Sequence, residues 1–232
     1  MEKAFFNWSG GKDSALALFY TLQKKEFDVM HLLTTVNGEY KRISMHGVRE
    51  VLLDKQSVEI GISLKKIYMP EFCSMEEYDK ILTEKLSGIK TDGIESAIFG
   101  DIFLEDLREY REKQLQKIGL KVQFPLWKRD TTELIHEFIN LGFKTIVTCI
   151  SEKYLDKTFV GRVIDKDFIN DLPHNVDQCG ENGEFHTFVF DGPIFNKAIN
   201  FEIGEKTFKK YEDENNPHLK NGFWYCDLIP SI

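Results

Sequence analysis

The chain has 232 residues, with 30 Lys and Arg against 38 Asp and Glu, a formal charge of -8, and 42% hydrophobic and 13% aromatic content. A chain of that length buries a real core as one large domain or two small ones, and the composition excludes a disordered polymer. The acidic balance argues against broad nucleic-acid or membrane adhesion, because such binding needs a basic surface to displace counterions. An anionic nucleotide still binds where local donors converge.

In chain order, residues 4–8 form a short apolar run that leads directly into Ser9-Gly10-Gly11-Lys12-Asp13-Ser14. Ala15, Leu18, Phe19 and Leu22 then recur at the spacing of one helix face. The pattern predicts a strand, a glycine-rich turn and a helix. Glycines let the backbone approach a ligand, and the first turn of a helix has unpaired N–H groups at the positive end of its dipole. Ser9 and Ser14 add hydroxyls and Lys12 a cation, so the expected guest is a phosphate. The stretch is not a Walker A loop: the positions that motif needs as Gly and as Ser or Thr hold Phe6 and Asp13.

Residues 28–36 read as a buried strand, 37–42 as a polar loop, and 47–60 as a helix with Val48, Val51 and Leu52 inward. A strand at 64–69 is closed by Pro70; Tyr78, Ile81, Leu82, Leu86 and Ile89 mark an amphipathic helix. Residues 96–99 form a strand ending at Gly100-Asp101; 104–118 are helical, 121–124 extended, 131–141 helical and 145–150 a strand. Such alternation implies right-handed βαβ units around a parallel sheet, whose ligands sit beyond the carboxyl ends of the strands. Residues 9–14, His46 with Arg49, and Gly100-Asp101 are expected to converge there.

Past residue 151 the rhythm changes. Residues 163–172 read as a helix stopped by Pro173, and 197–203 and 223–228 have strand character, separated by the charged stretch 211–220. The division expected is 1–150 and 151–232, the second a smaller α+β unit. Just before the alternating strand 185–190, Gly180, Glu181, Asn182, Gly183 and Glu184 form a tight acidic turn, with Cys179 and His186 close in sequence. The turn is open between a ligand-facing cluster and an ordinary hairpin entry.

The four cysteines are widely spaced with no Cys-x-x-Cys pair, which argues against a zinc knuckle, an iron–sulfur site or a dithiol motif. A reduced cytoplasmic setting is expected, since no apolar run approaches the ~20 residues of a membrane span and the N-terminus has no signal-peptide pattern.

Six pieces in order carry a resemblance: residues 9–14, Met45-His46-Gly47-Val48-Arg49, Phe99-Gly100-Asp101-Ile102, Pro125-Leu126-Trp127, residues 161–165 and residues 179–187. The chain resembles the diphthine–ammonia ligase family, a branch of the N-type ATP pyrophosphatases. The resemblance implies a Rossmann-like α/β sheet of the adenine nucleotide alpha hydrolase (HUP) type, with a pyrophosphate-binding loop, followed by the smaller domain. It also implies adenylation of a carboxylate by ATP, release of pyrophosphate, and attack of ammonia to give an amide and AMP. The partners so implied are a carboxylate acceptor, a small molecule or a modified protein side chain, and ammonia; a homodimer is also compatible. Family members that make diphthamide carry Glu-Gly-Gly-Glu-Phe-Glu-Thr where this chain has Asn182 and His186. The Asn/His form looks like a bacterial branch for which a corrinoid-salvage role has been proposed.

On this reading Ser9, Gly10, Gly11, Lys12, Asp13 and Ser14, with His46, Arg49 and Gly100, bind the nucleotide. Asp101 and Asp13 are the candidate Mg²⁺ ligands. Glu181, Asn182, Gly183 and Glu184 face the acceptor, and Lys12, Asp101, Glu184 and His186 carry the chemistry, His186 as a proton acceptor. Each has a plainer alternative: a first-turn carboxylate for Asp13, a strand-end cap for Asp101, a solvent-facing helix start for His46 and Arg49, an outward strand position for His186. Cys179 reads as a packed thiol, and Arg108, Arg111 and Trp127 either border the pocket or belong to a charged helix face and the core. Two further functions stay open: an AMP-forming enzyme that thiolates tRNA, and an ATP-binding module without turnover.

Overall fold

The computed structural model describes residues 1–213 and 216–231. Four βα steps and a fifth strand come first: β1 (Glu2–Asn7), α1 (Lys12–Lys24), β2 (Phe27–Asn37), α2 (Glu50–Ile60), β3 (Leu64–Met69), α3 (Met75–Lys90), β4 (Ser96–Ile98), α4 (Glu105–Lys117) and β5 (Lys121–Gln123). The sheet they make is parallel throughout, in the order β3-β2-β1-β4-β5. Successive residues of β1 point to opposite faces: Phe6 packs with the α1 and α2 residues Leu18, Leu52 and Leu53, while Phe5 packs with Leu86 of α3 and Leu115 of α4. Burying each of these side chains stabilises the fold by about 1.5–3 kcal/mol.

Local signals set the helix starts. Ser74 accepts from the Glu77 amide and Glu77 answers on the Ser74 amide, a reciprocal cap that opens α3. Asp130 caps α5 (Thr131–Asn140) in the same one-sided way that Asp165 caps α6 (Lys166–Asp171).

The remaining strands, β6 (Lys144–Ser151), β7 (Phe185–Asp191), β8 (Phe201–Asp213) and β9 (Asn216–Pro230), form a second sheet in the order β7-β6-β9-β8, antiparallel throughout. The change of sheet thus precedes Lys144, ahead of the boundary expected after residue 150, because the run at 145–150 pairs with β7 and β9 and not with β1–β5. Val147, Ile150, Phe185 and Phe188 share one core with Phe6, Trp8 and Leu18, so the second sheet covers the α1 side of the first.

Other expectations need correction. The helix foreseen from residue 47 starts at Glu50, and its inward face is Leu52, Leu53, Gln56 and Ser57; Val51 is exposed, and Val48 is buried from the preceding loop. Leu22 likewise lies outside the buried face of α1. The helix foreseen at 163–172 is the shorter α6, and Val163 instead bridges to Ile146. Residues 211–213 and 216–220, read as a charged separator, continue β8 and β9, and 214–215 lie outside the described residues.

Candidate functional site

The strand order of the first sheet reverses at β1, whose neighbours are β2 and β4. Ligands of such sheets occupy the crevice at that reversal, between the loops leaving the two strands. Here those loops are residues 8–11 and 99–104, and they touch. A Cβ added at Gly100 would lie 2.9 Å from the Ser14 nitrogen and 3.0 Å from the Asp13 carbonyl carbon and oxygen. The obstruction is backbone, so a side chain at residue 100 displaces the start of α1. If the crevice holds a nucleotide, Gly100→Ala is expected to weaken its binding at least about tenfold, measured by calorimetry on protein with native near-UV dichroism; unchanged affinity would detach β4 from the site.

Gly10 adopts φ +77°, a left-handed conformation open to glycine, and Gly11 is the N-cap of α1 with no side chain to offer. The cap comes from elsewhere: the Thr187 hydroxyl accepts from the Lys12 amide at 3.0 Å, and Ser9 Oγ accepts from the Gly11 amide at 3.2 Å. Ser14 Oγ donates to the Gly11 carbonyl at 2.9 Å, and Ser9 Oγ donates to Ser14 Oγ at 3.1 Å. The loop hydroxyls therefore hold the loop itself.

Lys12 is buried, with Nζ 2.7 Å from Asp13 and 5.6 Å above the Phe185 ring. Burial pushes its pKa down, but the surrounding acidic groups, Asp13 first and then Cys179 and Glu181, together outweigh that and the net direction is up. The ammonium stays charged throughout the neutral range.

Asp101, just past β4, faces Arg111 of α4, with Nε to Oδ2 at 2.8 Å and Nη2 to Oδ1 at 3.3 Å. The closer pair is misaligned, so both atoms are buried without a hydrogen bond among the described residues. Burial raises the Asp101 pKa, and nearby Asp13 adds to the rise while Arg111 opposes it. Arg111 stacks over Phe99 and Arg108 over Trp127, at 4.3 and 4.6 Å to the ring centres.

His46 and His186 lie side by side, ring centres 4.8 Å apart, and a Cβ on Gly11 would fall 2.9 Å from His46 Cε1. The Thr187 carbonyl 3.0 Å from His46 Nδ1 only accepts, so Nδ1 carries the proton and Nε2 the lone pair. Burial holds the His46 pKa below its usual value. Burial, then His46 and Lys12, push His186 down to about 3, and its Nε2 is buried without a partner among the described residues. The His186 lone pair is thus free at neutral pH but only weakly basic, which does not favour the proton-acceptor role expected of it.

Two other expected ligand contacts are already engaged. Glu184 is fully buried and its carboxylate receives the Asp177 amide at 3.0 Å, the Asn182 amide at 2.8 Å and the Asn182 side chain at 3.1 Å. It builds the turn and does not face a ligand. Arg49 donates to both oxygens of Asp227 at 3.1 and 2.6 Å, and Arg42 joins them at 2.8 Å. This fork ties the loop carrying His46 to β9, where Tyr225 packs under Gly47. The arginines hold the Asp227 pKa down to about 2. A depressed carboxylate stabilises the fold above its ordinary pKa near 4 and loses that contribution as pH falls toward 2. Asp227→Asn is expected to cost about 1–2 kcal/mol at pH 7, after allowing for the part-exposed arginines, and almost nothing at pH 2. Urea titrations at the two pH values test this.

Glu181 and Asn182 stand at the rim of the same turn, half-buried and exposed, and Gly183 takes φ +81° with open space beside it. Burial first, then the Asp13 charge, push the Glu181 carboxyl up to about 8. Cys179 is a packed thiol that donates to the Thr131 carbonyl at 3.3 Å, and burial pushes its pKa up. All four cysteines are free. Cavities of about 530 and 330 Å³ sit around His136 on α5 and include none of these residues. Thr187 and Gln56, which grip the loop, are not among the residues expected from sequence; the threonine was visible only as part of the 179–187 motif.

Residues 2–122 match the diphthamide synthase N-terminal domain, and residues 130–225 match the diphthamide synthase C-terminal domain. The chain belongs to the diphthamide synthase family. Among curated proteins it is similar to the diphthine–ammonia ligase of Mus musculus, 27% identical over 158 residues, which cover 65% of this chain and 56% of that protein. The diphthine–ammonia ligase of Saccharomyces cerevisiae is 26% identical over 230 residues, covering 81% of this chain and 32% of that protein. The chain thus spans about half or less of the length of these relatives. A solved structure titled as a predicted subunit of tRNA methyltransferase from Methanocaldococcus jannaschii aligns with TM-score 0.42 at 19% identity, over 66% of this chain and 82% of that one. No helix among the described residues is long and apolar enough to cross a membrane.

Proposed function

We propose that this chain is an ATP-dependent carboxylate–ammonia ligase that adenylates an acceptor acid, releases pyrophosphate, and yields an amide and AMP. The observation that carries the reading is the meeting, at the β1/β4 reversal, of the loop holding Lys12 with Asp101 and with the turn that ends in Glu181 and His186. Family membership and the names of the curated relatives support it.

Lys12 and the α1 N-terminus receive the β and γ phosphates, whose charge grows as pyrophosphate leaves. Asp101 would hold a divalent cation as the ionised carboxylate: its buried Oδ2 has no aligned hydrogen bond, and the cation would share it with the Arg111 guanidinium 2.8 Å away. No group of three His, Cys, Asp or Glu among the described residues suffices for a metal, but Mg²⁺ keeps waters and takes phosphate oxygens, so Asp101 with Asp13 is enough. When bound, Mg²⁺ supplies charge neutralisation for the leaving pyrophosphate. Arg49 reaches the α-phosphate only by yielding one of its bonds to Asp227.

In the second step the ammonia lone pair forms the C–N bond, the acyl C–O bond breaks, and AMP leaves with its electron pair. The proton shed by the attacking nitrogen goes to Glu181 in its ionised form, which the raised pKa makes the stronger base of the turn and which gains in population as pH rises toward 8. The neutral His46 and His186 imidazoles orient the nucleophile and contribute no charge that would repel it as ammonium. The replacement of Gly and Glu by Asn182 and His186 in this turn supports an acceptor that differs from diphthine, a corrinoid acid or another carboxylate, with diphthine itself kept in the test.

The test is AMP release from Mg·ATP and ammonium across a panel of acids: diphthine-bearing elongation factor, corrinoid acids and small carboxylates. Acid-dependent AMP with pyrophosphate is expected. ADP as the product, or bound ATP with no AMP under any acid, would overturn the reading, the latter in favour of a non-catalytic ATP-binding module. AMP that depends on RNA would favour tRNA modification.

A further inference from the structure

We infer that Gln56, on α2 and remote from the motifs, is a positioning residue that sets the shape of the phosphate loop and couples it to the second sheet. The inference rests on the loop being the phosphate site. Gln56 is fully buried and all its polar atoms are used. Its Nε2 donates to the Gly10 carbonyl at 3.1 Å and to the Val189 carbonyl at 2.6 Å, and its Oε1 accepts from Trp8 Nε1 at 2.8 Å. The Gly10 carbonyl also receives the Val189 amide at 2.9 Å.

One amide therefore joins the end of β1, the loop, and β7 at the point where Gly10 is in its left-handed conformation. With the Gly10 carbonyl held by two donors, the following Gly11 and Lys12 N–H groups are set toward Ser9 Oγ and the Thr187 hydroxyl, so the loop's whole hydrogen-bond pattern depends on that carbonyl. The fit is tight: a Cβ on Gly10 would lie 2.8 Å from Gln56 Oε1. The chemistry requires Gln. A glutamate has no donor for the two carbonyls, asparagine is one carbon shorter, and an apolar side chain leaves Trp8 and Val189 with buried unpaired groups. Because β7 continues from the Glu181–Glu184 turn, any shift of that strand is transmitted to the loop through Val189, Gln56 and Thr187.

The experiment compares wild type with Gln56→Glu and with the uncharged, similarly sized Gln56→Met. Amide exchange is read in the ligand-free proteins, and inorganic pyrophosphate and adenosine are titrated separately. Exchange at Gly11, Lys12 and Val189 is expected to quicken at least about tenfold while β2 and β3 stay protected. The pyrophosphate Kd is expected to rise at least tenfold, with adenosine affinity held within twofold. Unchanged exchange at Gly11, Lys12 and Val189 in both variants would overturn the inference. So would equal acceleration in β2 and β3, or parallel loss of adenosine and pyrophosphate binding, which mark a general scaffold residue. A wild type that binds no pyrophosphate refutes the nucleotide reading, and the exchange data alone then decide the part of Gln56.

Discussion

Replacing Lys12 with Ala is expected to lower AMP formation about 10²–10³-fold while leaving the fold almost as stable as before. The two halves of that expectation have different origins. Lys12 is a buried cation whose ion-pair partner, Asp13 at 2.7 Å, is itself partly open to water. Removing the ammonium leaves Asp13 free to hydrate, so stability changes little. On the proposed reaction, the loss of Lys12 removes a fixed positive charge from the phosphate loop, and such groups act mainly where charge develops. Lys12→Arg is not expected to restore the rate. A guanidinium is wider than an ammonium, and the space beside Phe185 and the Gly11 loop is closed. Because Asp13 and the other acidic groups around it keep the Lys12 pKa above its usual value against the effect of burial, the rate should show no Lys12 titration at neutral pH. Quenched-flow measurement of AMP, with Kd for ATP from calorimetry, checks all three statements. A Lys12→Ala protein within twofold of wild type in both quantities would remove the loop from the reaction.

The loop was legible because its signals are local. Two glycines, a lysine and an apolar helix face stand within fourteen residues, and the alternation of strands and helices up to β5 fixes the sheet edge where they meet. What was hidden depends on distant partners. The run at 145–150 has the same apolar character in a parallel or an antiparallel sheet, so nothing in it told that β6 pairs with β7 and β9. Val51 looked inward only because the helix was begun three residues early; moving its start to Glu50 hands the inner face to Leu53 and Gln56. Gln56 and Thr187 are ordinary polar residues until Val189 and Lys12 are brought to them by the fold. Arg49 could be read as a phosphate clamp because Asp227, its fork partner, lies near the other end of the chain. The acidic turn is open in sequence between a ligand-facing cluster and a hairpin entry, and its two glutamates separate only once burial is known.

That separation leads to the second large effect. Glu184→Ala is expected to cost about 3–5 kcal/mol, more than any substitution at the exposed rim of the same turn. The carboxylate is fully buried and accepts from the Asp177 and Asn182 amides and from the Asn182 side chain. Alanine leaves those donors without a partner, two of them backbone groups, at about 1–3 kcal/mol each. Glu184→Gln keeps the volume but is expected to cost nearly as much. Both oxygens receive N–H groups, so whichever position the new NH₂ takes, it faces a donor. Glu181→Gln, half-buried and without a hydrogen-bonded network of its own, is expected to change stability by less than about 1 kcal/mol while slowing the ammonia-dependent step. Urea denaturation of the three variants, beside single-turnover AMP release with and without ammonium, tests the distinction. A Glu184→Gln protein as stable as wild type but inactive would mean that this carboxylate acts on the substrate after all, and the division of labour between the two glutamates would have to be reversed.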